Sequence, residues 1–279
     1  MIDLNRVSAY RVLFVGDMIM DEYVYVRVIG KAVKENALSA VRTRTEKFRG
    51  GVAAAAAHAQ NFCLKVDVWH GSKTMYNSRM VDDVYLRKLF VTHELYETHS
   101  NPPTFDVPSY DLVVVCDFGH GTMTKELIER LTREARFLAV NAQTNATNYG
   151  FNVVTKYPRA DFVVIDELEA RLAARDRDSP IEDVILKLGF PKIIITRGIH
   201  GAIGFDGAFE RQAAMTTQVT DSIGAGDAFL AVTAPFSAAG LSMKEMVRIG
   251  NAAGAIKCGI IGHRSSVTKE ALIEFIRAH

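Results

Sequence analysis

The chain has 279 residues, 48% of them hydrophobic and 23% charged, which suits one large α/β domain with a buried core. Its formal net charge is +1, with Lys and Arg spread along the chain, which excludes a global field that would draw nucleic acid or an anionic membrane. No apolar run reaches the length of a membrane span, and residues 1–10 lack the layout of a signal peptide, so a cytoplasmic protein is expected.

Residues 11–15 form a short apolar run that ends in Gly16-Asp17 and reads as a buried first strand. Residues 23–29 and 38–47 mix β-branched, aromatic and polar side chains, as expected of a twisted, part-exposed sheet. Gly50-Gly51 opens an alanine-rich helix to about Phe62, and residues 65–70 read as the next strand. Residues 73–96 alternate and carry many charges, so strands with one wet face are expected there. From Asp111 strands alternate with helices: strands at 112–116, 137–140, 162–165 and 193–196, helices at 124–134, from about 167, and after Pro180. Residues 202–205 and 209–213 flank Asp206-Gly207 as a hairpin, and helices near 225–239, 242–257 and 269–278 close the chain. This order predicts a mainly parallel sheet covered on both faces, with the early β-rich stretches, within about 23–48 and 73–97, forming a small lid. Cys63, Cys116 and Cys258 lie in apolar runs without a CxxC pair and are expected to be buried, reduced thiols.

The segment most informative about chemistry is 221–229, DSIGAGDAF, where a glycine pair leads directly into a long helical pattern. A helix N-terminus offers unpaired N–H groups and partial positive charge, and glycine lets an anion approach that backbone closely. Gly224, Ala225 and Gly226 would cradle a phosphate, and Asp227, in the first turn, could take a proton from an attacking hydroxyl. A glycine-rich helix entry with a capping Asp is the plain structural alternative. His58 and His120 have no second ligand at metal spacing and are expected to be structural or exposed.

Residues 221–229 resemble the C-terminal signature of the PfkB, or ribokinase-like, carbohydrate kinases, which typically reads DTxGAGD, with Ser222 the one departure. The resemblance covers nearly the whole chain in order: Gly16-Asp17 with Asp21, Gly50-Gly51 before a small-residue helix, Thr196-Arg197-Gly198 with Gly201, and Asn251-Ala252-Ala253. Within the family, the opening GDMIMDEYVYV and residues 31–51 look most like the heptose-7-phosphate kinase branch of ADP-heptose synthesis. It implies a single ribokinase-like kinase domain over residues 1–279, a three-layer α/β/α sandwich with a small β-lid.

It further implies ATP-dependent phosphorylation of a sugar or sugar phosphate hydroxyl, with ATP, Mg²⁺ and a monovalent cation near Asp221 and Ile223. Asp227 would be the base and the backbone of Gly224, Ala225 and Gly226 the anion hole. Asp17, Asp21, Gly50 and Gly51 would meet sugar hydroxyls, and Arg79 a sugar phosphate. Asp166 and Glu169 stand where the family's Asn-x-x-Glu organises Mg²⁺, and Thr196, Arg197, Gly198 and Asn251 lie on the nucleotide side. A homodimer through the lid strands is also implied. Bland alternatives stand beside these roles: a strand-ending turn for Asp17, solvated positions for Glu169 and Arg79, and a helix polar contact for Asn251.

The chain departs from the pattern at four places. Ala53 and Ala54 replace a sugar-binding Asn, and Asp166 replaces an amide. Asn141-Ala142-Gln143 stands where the branch has Asp-Pro-Lys, with His120-Gly121 where Lys or Asn is common. A strand–helix unit expected after His70 is missing, because Gly71 leads almost directly to Lys73 and the lid. These departures leave open a second reading, a kinase fold that binds nucleotide or sugar, or serves as a partner subunit, with weakened turnover. A Rossmann oxidoreductase is disfavoured, because no GxGxxG follows the first strand.

Overall fold

The strand Leu112–Asp117 (β5) is buried at every position, as expected for a central parallel strand covered on both faces. The computed structural model describes residues 3–97, 103–216 and 218–279, so the first two residues of the segment read for a leader lie outside it. Around β5 the strands Arg11–Lys31 (β1), Leu38–Gly51 (β2), Lys65–Asp82 (β3), Lys88–Glu97 (β4), Leu138–Ala142 (β6), Phe162–Asp166 (β7), Ile193–Thr196 (β8), Ala202–Phe205 (β9) and Phe209–Gln212 (β10) complete one sheet. Its order is β10-β9-β8-β7-β6-β5-β1-β3-β4, with β2 paired to β1. The pairings from β3 through β1, β5, β6 and β7 to β8 are parallel, and β9 and β10 add an antiparallel edge.

Side chains alternate between the two faces with period two. Val12, Phe14, Val114 and Val164 enter one core, with the helices Val52–Ala59 (α1), Ala225–Ala238 (α5), Met243–Cys258 (α6) and Lys269–Ala278 (α7). Leu13, Val15, Val113 and Ile165 enter the other, beneath Lys125–Glu134 (α2), Glu167–Ala174 (α3) and Ile181–Leu188 (α4). The result is the expected three-layer α/β/α sandwich. Helix α2 is capped by Thr124, whose Oγ1 accepts the Leu127 N–H, and α6 begins with a capping box between Ser242 and Glu245.

The early strands differ from the sequence expectation in one respect. The stretches 11–15 and 23–29 are not separate strands but parts of β1, and 65–70 and 73–82 are parts of β3. The Gly16-Asp17 and Gly71 signals that suggest turns are absorbed by one register irregularity between Gly16 and Met18, where β1 and β3 leave the core and enter the lid still paired. In the lid, β2 and β4 flank this parallel pair in antiparallel register. Helix α1 is shorter than expected, ending at Ala59. Residues 65–70 pair with β1 alone, and β4 joins β3 only from Lys73, so their other edge lacks a strand partner among the described residues. That edge is where the missing strand–helix unit would lie.

Candidate active site

Two cavities open at the carboxyl ends of the parallel strands, the usual location of ligand sites in such sheets. The larger, about 490 Å³, is lined by Asp166, Glu169, Thr196, Gly198, Asn251 and the start of α5. The smaller, about 280 Å³, is lined by Asp21, Gly51, Arg79, His93, His120 and His263 under the lid. Gln143, Gly224 and Asp227 line both.

Asp227 therefore sits at the junction. It is the third residue of α5 and is buried, which pushes its pKa up against the opposing pull of His263, Gln143 and Lys257. Gln143 Nε2 donates to its Oδ1 at 2.7 Å, which fixes the carboxylate. Gly224 precedes the helix with φ 77°, the left-handed turn that brings the first-turn N–H groups to the junction. The Ala225 N–H reaches the Ser222 carbonyl at 3.2 Å, and no partner stands near those of Gly226 and Asp227 among the described residues. A buried carboxylate thus stands beside a helix N-terminus with free N–H groups, the arrangement that a base beside an anion hole would need.

On the lid side, Asp21 is buried and pairs with Arg79, with Asn77 Nδ2 at 3.4 Å and His263 Nε2 at 3.4 Å. Burial opposes its charge, yet His263 and Arg79 hold its pKa below the usual carboxylate value. The chain passes close by at two glycines. A Cβ on Gly50 would lie 2.4 Å from Asp21 Oδ2, and one on Gly51, at φ 57°, would lie 2.4 Å from the Asp17 carbonyl. Arg79 is not a solvated strand charge, because its side chain is paired and lines the smaller cavity.

Asp17 is placed differently from expectation. It has no exposed surface and lines neither cavity. Its carboxylate accepts the N–H groups of Phe118 at 2.8 Å, His120 at 3.2 Å and Thr122 at 3.1 Å. It shapes the loop after β5, which in turn carries His120 to the wall of the smaller cavity. Two further residues stand on that wall, and the first of them lacks any local sequence signal. His263 lies in the loop after α6, with its Nδ1 buried and unpartnered among the described residues, and Gln143 begins the loop after β6. Gln143 had a legible clue in its place just beyond a central strand's carboxyl end.

At the larger cavity, Asp166 and Glu169 form a capping box on α3. Glu169 also accepts the Thr144 N–H at 2.9 Å, and burial together with Asp166 pushes its pKa up to about 8. A buried, proton-prone carboxylate beside a second carboxylate that is exposed fits a divalent cation, which Mg²⁺ accepts from one or two protein oxygens plus substrate phosphates. Among the described residues no group of three or more His, Cys, Asp or Glu could hold a metal alone. The buried Asn141 Oδ1 on the same wall has no partner among the described residues and offers an acceptor to a ligand in the cavity. Thr196, Gly198 and Asn251 line the cavity as expected, although Asn251 Nδ2 is spent on the Val247 carbonyl at 2.7 Å. Arg197 does not line it, because its Nε donates to Glu167 at 2.8 Å.

An alkali cation fits less well at the loop that leads into α5. The Asp221 oxygens are taken by Lys88 Nζ and Tyr23 Oη, each at 2.7 Å, and by the N–H groups of Ile223 and Gly262 at 3.1 and 2.8 Å. Burial opposes the charge, but these donors hold the Asp221 pKa down to about 2. The Ile223 carbonyl accepts Lys257 Nζ at 2.7 Å.

His58 is structural. Its Nδ1 accepts the Val267 N–H at 2.9 Å, and burial takes its pKa down to about 3. All three cysteines are unpaired, but only Cys116 is buried, with Cys63 and Cys258 half-buried. No described helix is long and apolar enough to cross a membrane.

Comparison with known proteins agrees with this geometry. The chain is 27% identical to a bifunctional protein HldE of Desulfatibacillum aliphaticivorans over 93% of its own length, but spans only 62% of that relative. It is also 27% identical to a D-beta-D-heptose 7-phosphate kinase of Bordetella bronchiseptica, covering 92% of this chain and 94% of the relative. In three dimensions it resembles the ribokinase of Thermotoga maritima, with TM-score 0.72 at 16% identity over 96% and 99% of the two chains. The phosphofructokinase-2 of Escherichia coli, solved in complex with potassium, superposes with TM-score 0.66 at 14% identity over 96% and 99%. Residues 92–270 match the sequence profile of the pfkB family carbohydrate kinases, and the chain belongs to that family.

Proposed function

We propose that this protein transfers a phosphoryl group from ATP to a hydroxyl of a sugar or sugar phosphate, with heptose 7-phosphate the leading candidate. The observation that carries this reading is the junction of two cavities at Asp227, Gln143 and Gly224. One cavity has the size and mostly apolar wall of a nucleotide site, with Thr196, Gly198 and Asn251 around it. The other has the charged, hydrogen-bonding wall that a sugar phosphate requires, with Asp21, Asn77 and His263 for hydroxyls and Arg79 for phosphate.

Asp227 takes the proton of the acceptor hydroxyl as that oxygen attacks, and the α5 N-terminus stabilises the charge on the transferred group. Gln143 keeps the carboxylate aimed at the junction. Asp166 and Glu169 would hold Mg²⁺, which when bound neutralises the phosphate charge. A homodimer is part of the proposal, supported by the apolar side chains that the lid leaves exposed, among them Phe90, Leu95 and Tyr96. A cytoplasmic location is consistent with the unpaired thiols.

The test is ADP formation from ATP against a panel of sugars and sugar phosphates that includes heptose 7-phosphate. Sugar-dependent turnover is expected. Nucleotide binding without turnover on any member of the panel would overturn the proposal and favour a binding module.

A further inference from the structure

Among the described residues, Lys257 is the one buried cation that the proposed reaction leaves without a task. The residue has no exposed surface, although it lies near the end of α6 beside the anion-hole loop. Its Nζ donates to the carbonyls of Ile223 at 2.7 Å and Ile260 at 3.3 Å. A Cβ on Gly224 would lie 3.3 Å from Lys257 Cε, so the stem runs directly against the residue that opens α5. The charges around it are Asp221 and Asp227 on one side, with Cys258 and Lys88 further contributors, and burial lowers its pKa.

A lysine in this setting is costly unless its charge is used, because desolvating an ammonium is unfavourable. Two carbonyls and two nearby carboxylates provide the compensation. A dehydrated alkali cation would need a shell of such oxygens. Here the Ile223 carbonyl is committed to Lys257, and the Asp221 carboxylate is saturated by Lys88, Tyr23 and two backbone N–H groups.

We infer that the Lys257 ammonium is the built-in monovalent cation of the anion-hole loop, so that the protein works without potassium or any other alkali ion. Lys257 is a positioning residue. It ties the loop after α6 to the Ile223 carbonyl, fixes Gly224, and adds positive potential behind the first turn of α5.

The inference rests on the kinase reading for its turnover measurement and stands apart from it in its melting measurement. Wild-type protein is assayed in tetramethylammonium chloride and in KCl, NaCl and NH₄Cl at equal ionic strength, following both ADP formation and thermal unfolding. Neither is expected to change with the cation. Turnover raised about tenfold by K⁺, or a melting midpoint raised by K⁺ over tetramethylammonium, would overturn the inference. Lys257→Ala opens the ammonium's space and should lower turnover about 100-fold, with K⁺ or NH₄⁺ but not tetramethylammonium restoring much of the loss. A folded Lys257→Ala that equals wild type, or whose loss no cation restores, would also overturn it. If that variant fails to fold, the wild-type cation series decides alone. Absent turnover on every sugar would count against the kinase reading, while the melting series would still decide the role of Lys257.

Discussion

Replacing Asp227 by Asn removes one proton acceptor and almost nothing else. Asn is nearly isosteric, and its Oδ1 can keep the bond from Gln143 Nε2, 2.7 Å long in the wild type. The loss should therefore be chemical. Removing a positioned general base costs roughly 10²–10⁴ in rate, about 3–5 kcal/mol of transition-state stabilisation. Stability should move the other way. The folded pKa of Asp227 lies above its ordinary value of 3.8, because burial disfavours the charged form. Wild-type stability due to this group is thus greatest below that ordinary value and is lost as pH rises through the folded pKa. Asn carries no charge and escapes the loss, so the variant should melt no lower than wild type at pH 8. The assay pairs steady-state ADP formation with nucleotide titration and thermal unfolding. A variant with kcat within about threefold of wild type would refute the assignment of the base. So would a large drop in nucleotide affinity or melting temperature, since either would show that the residue acts through structure.

Three other outcomes follow from the same geometry. Arg79→Met should raise KM about tenfold or more for a sugar phosphate relative to the unphosphorylated sugar, because a charge-assisted contact is lost only with the former; equal KM changes for both would refute a phosphate role. Glu169→Gln should move the Mg²⁺ titration of turnover to about tenfold higher concentration, because one of the two carboxylates proposed to hold the ion is gone; an unchanged titration would assign Glu169 to capping alone. Phe90→Asp, placed on the exposed lid strand β4, should convert a dimer into a species of 30.8 kDa in light scattering, while a dimer that survives would place the interface elsewhere.

The layers of the fold and the chemical core of the site were legible because each rests on local patterning. Fully apolar runs such as Val113, Val114 and Val115 announce a central strand, and a glycine pair before a long small-residue helix announces the α5 entry. What escaped depends on contacts distant in sequence. Asp17 and Asp21 sit four residues apart on β1 and look equivalent, but the loop after β5 folds over Asp17 and claims its carboxylate, while Asp21 continues into the lid. His263 reaches the cavity through a loop with no periodic pattern, in which Gly262, at φ 51°, turns its N–H to Asp221. Gln143 reads in sequence as the absence of a lysine, whereas in space it is the amide that holds the Asp227 carboxylate.

The unbroken passage of β1 and β3 from core to lid has a mechanical meaning. A lid joined by two loops would swing on a pivot, with little resistance until it struck something. Here the two strands stay paired from Arg11↔Lys65 to Val26↔Asp82, interrupted once between Gly16 and Met18. Moving the lid toward Asp227 must bend or twist that ladder, so the motion is that of a leaf spring clamped in the sheet. Its travel is short and its restoring force rises with displacement. Sugars of different size would then be distinguished partly by how far each requires the spring to flex.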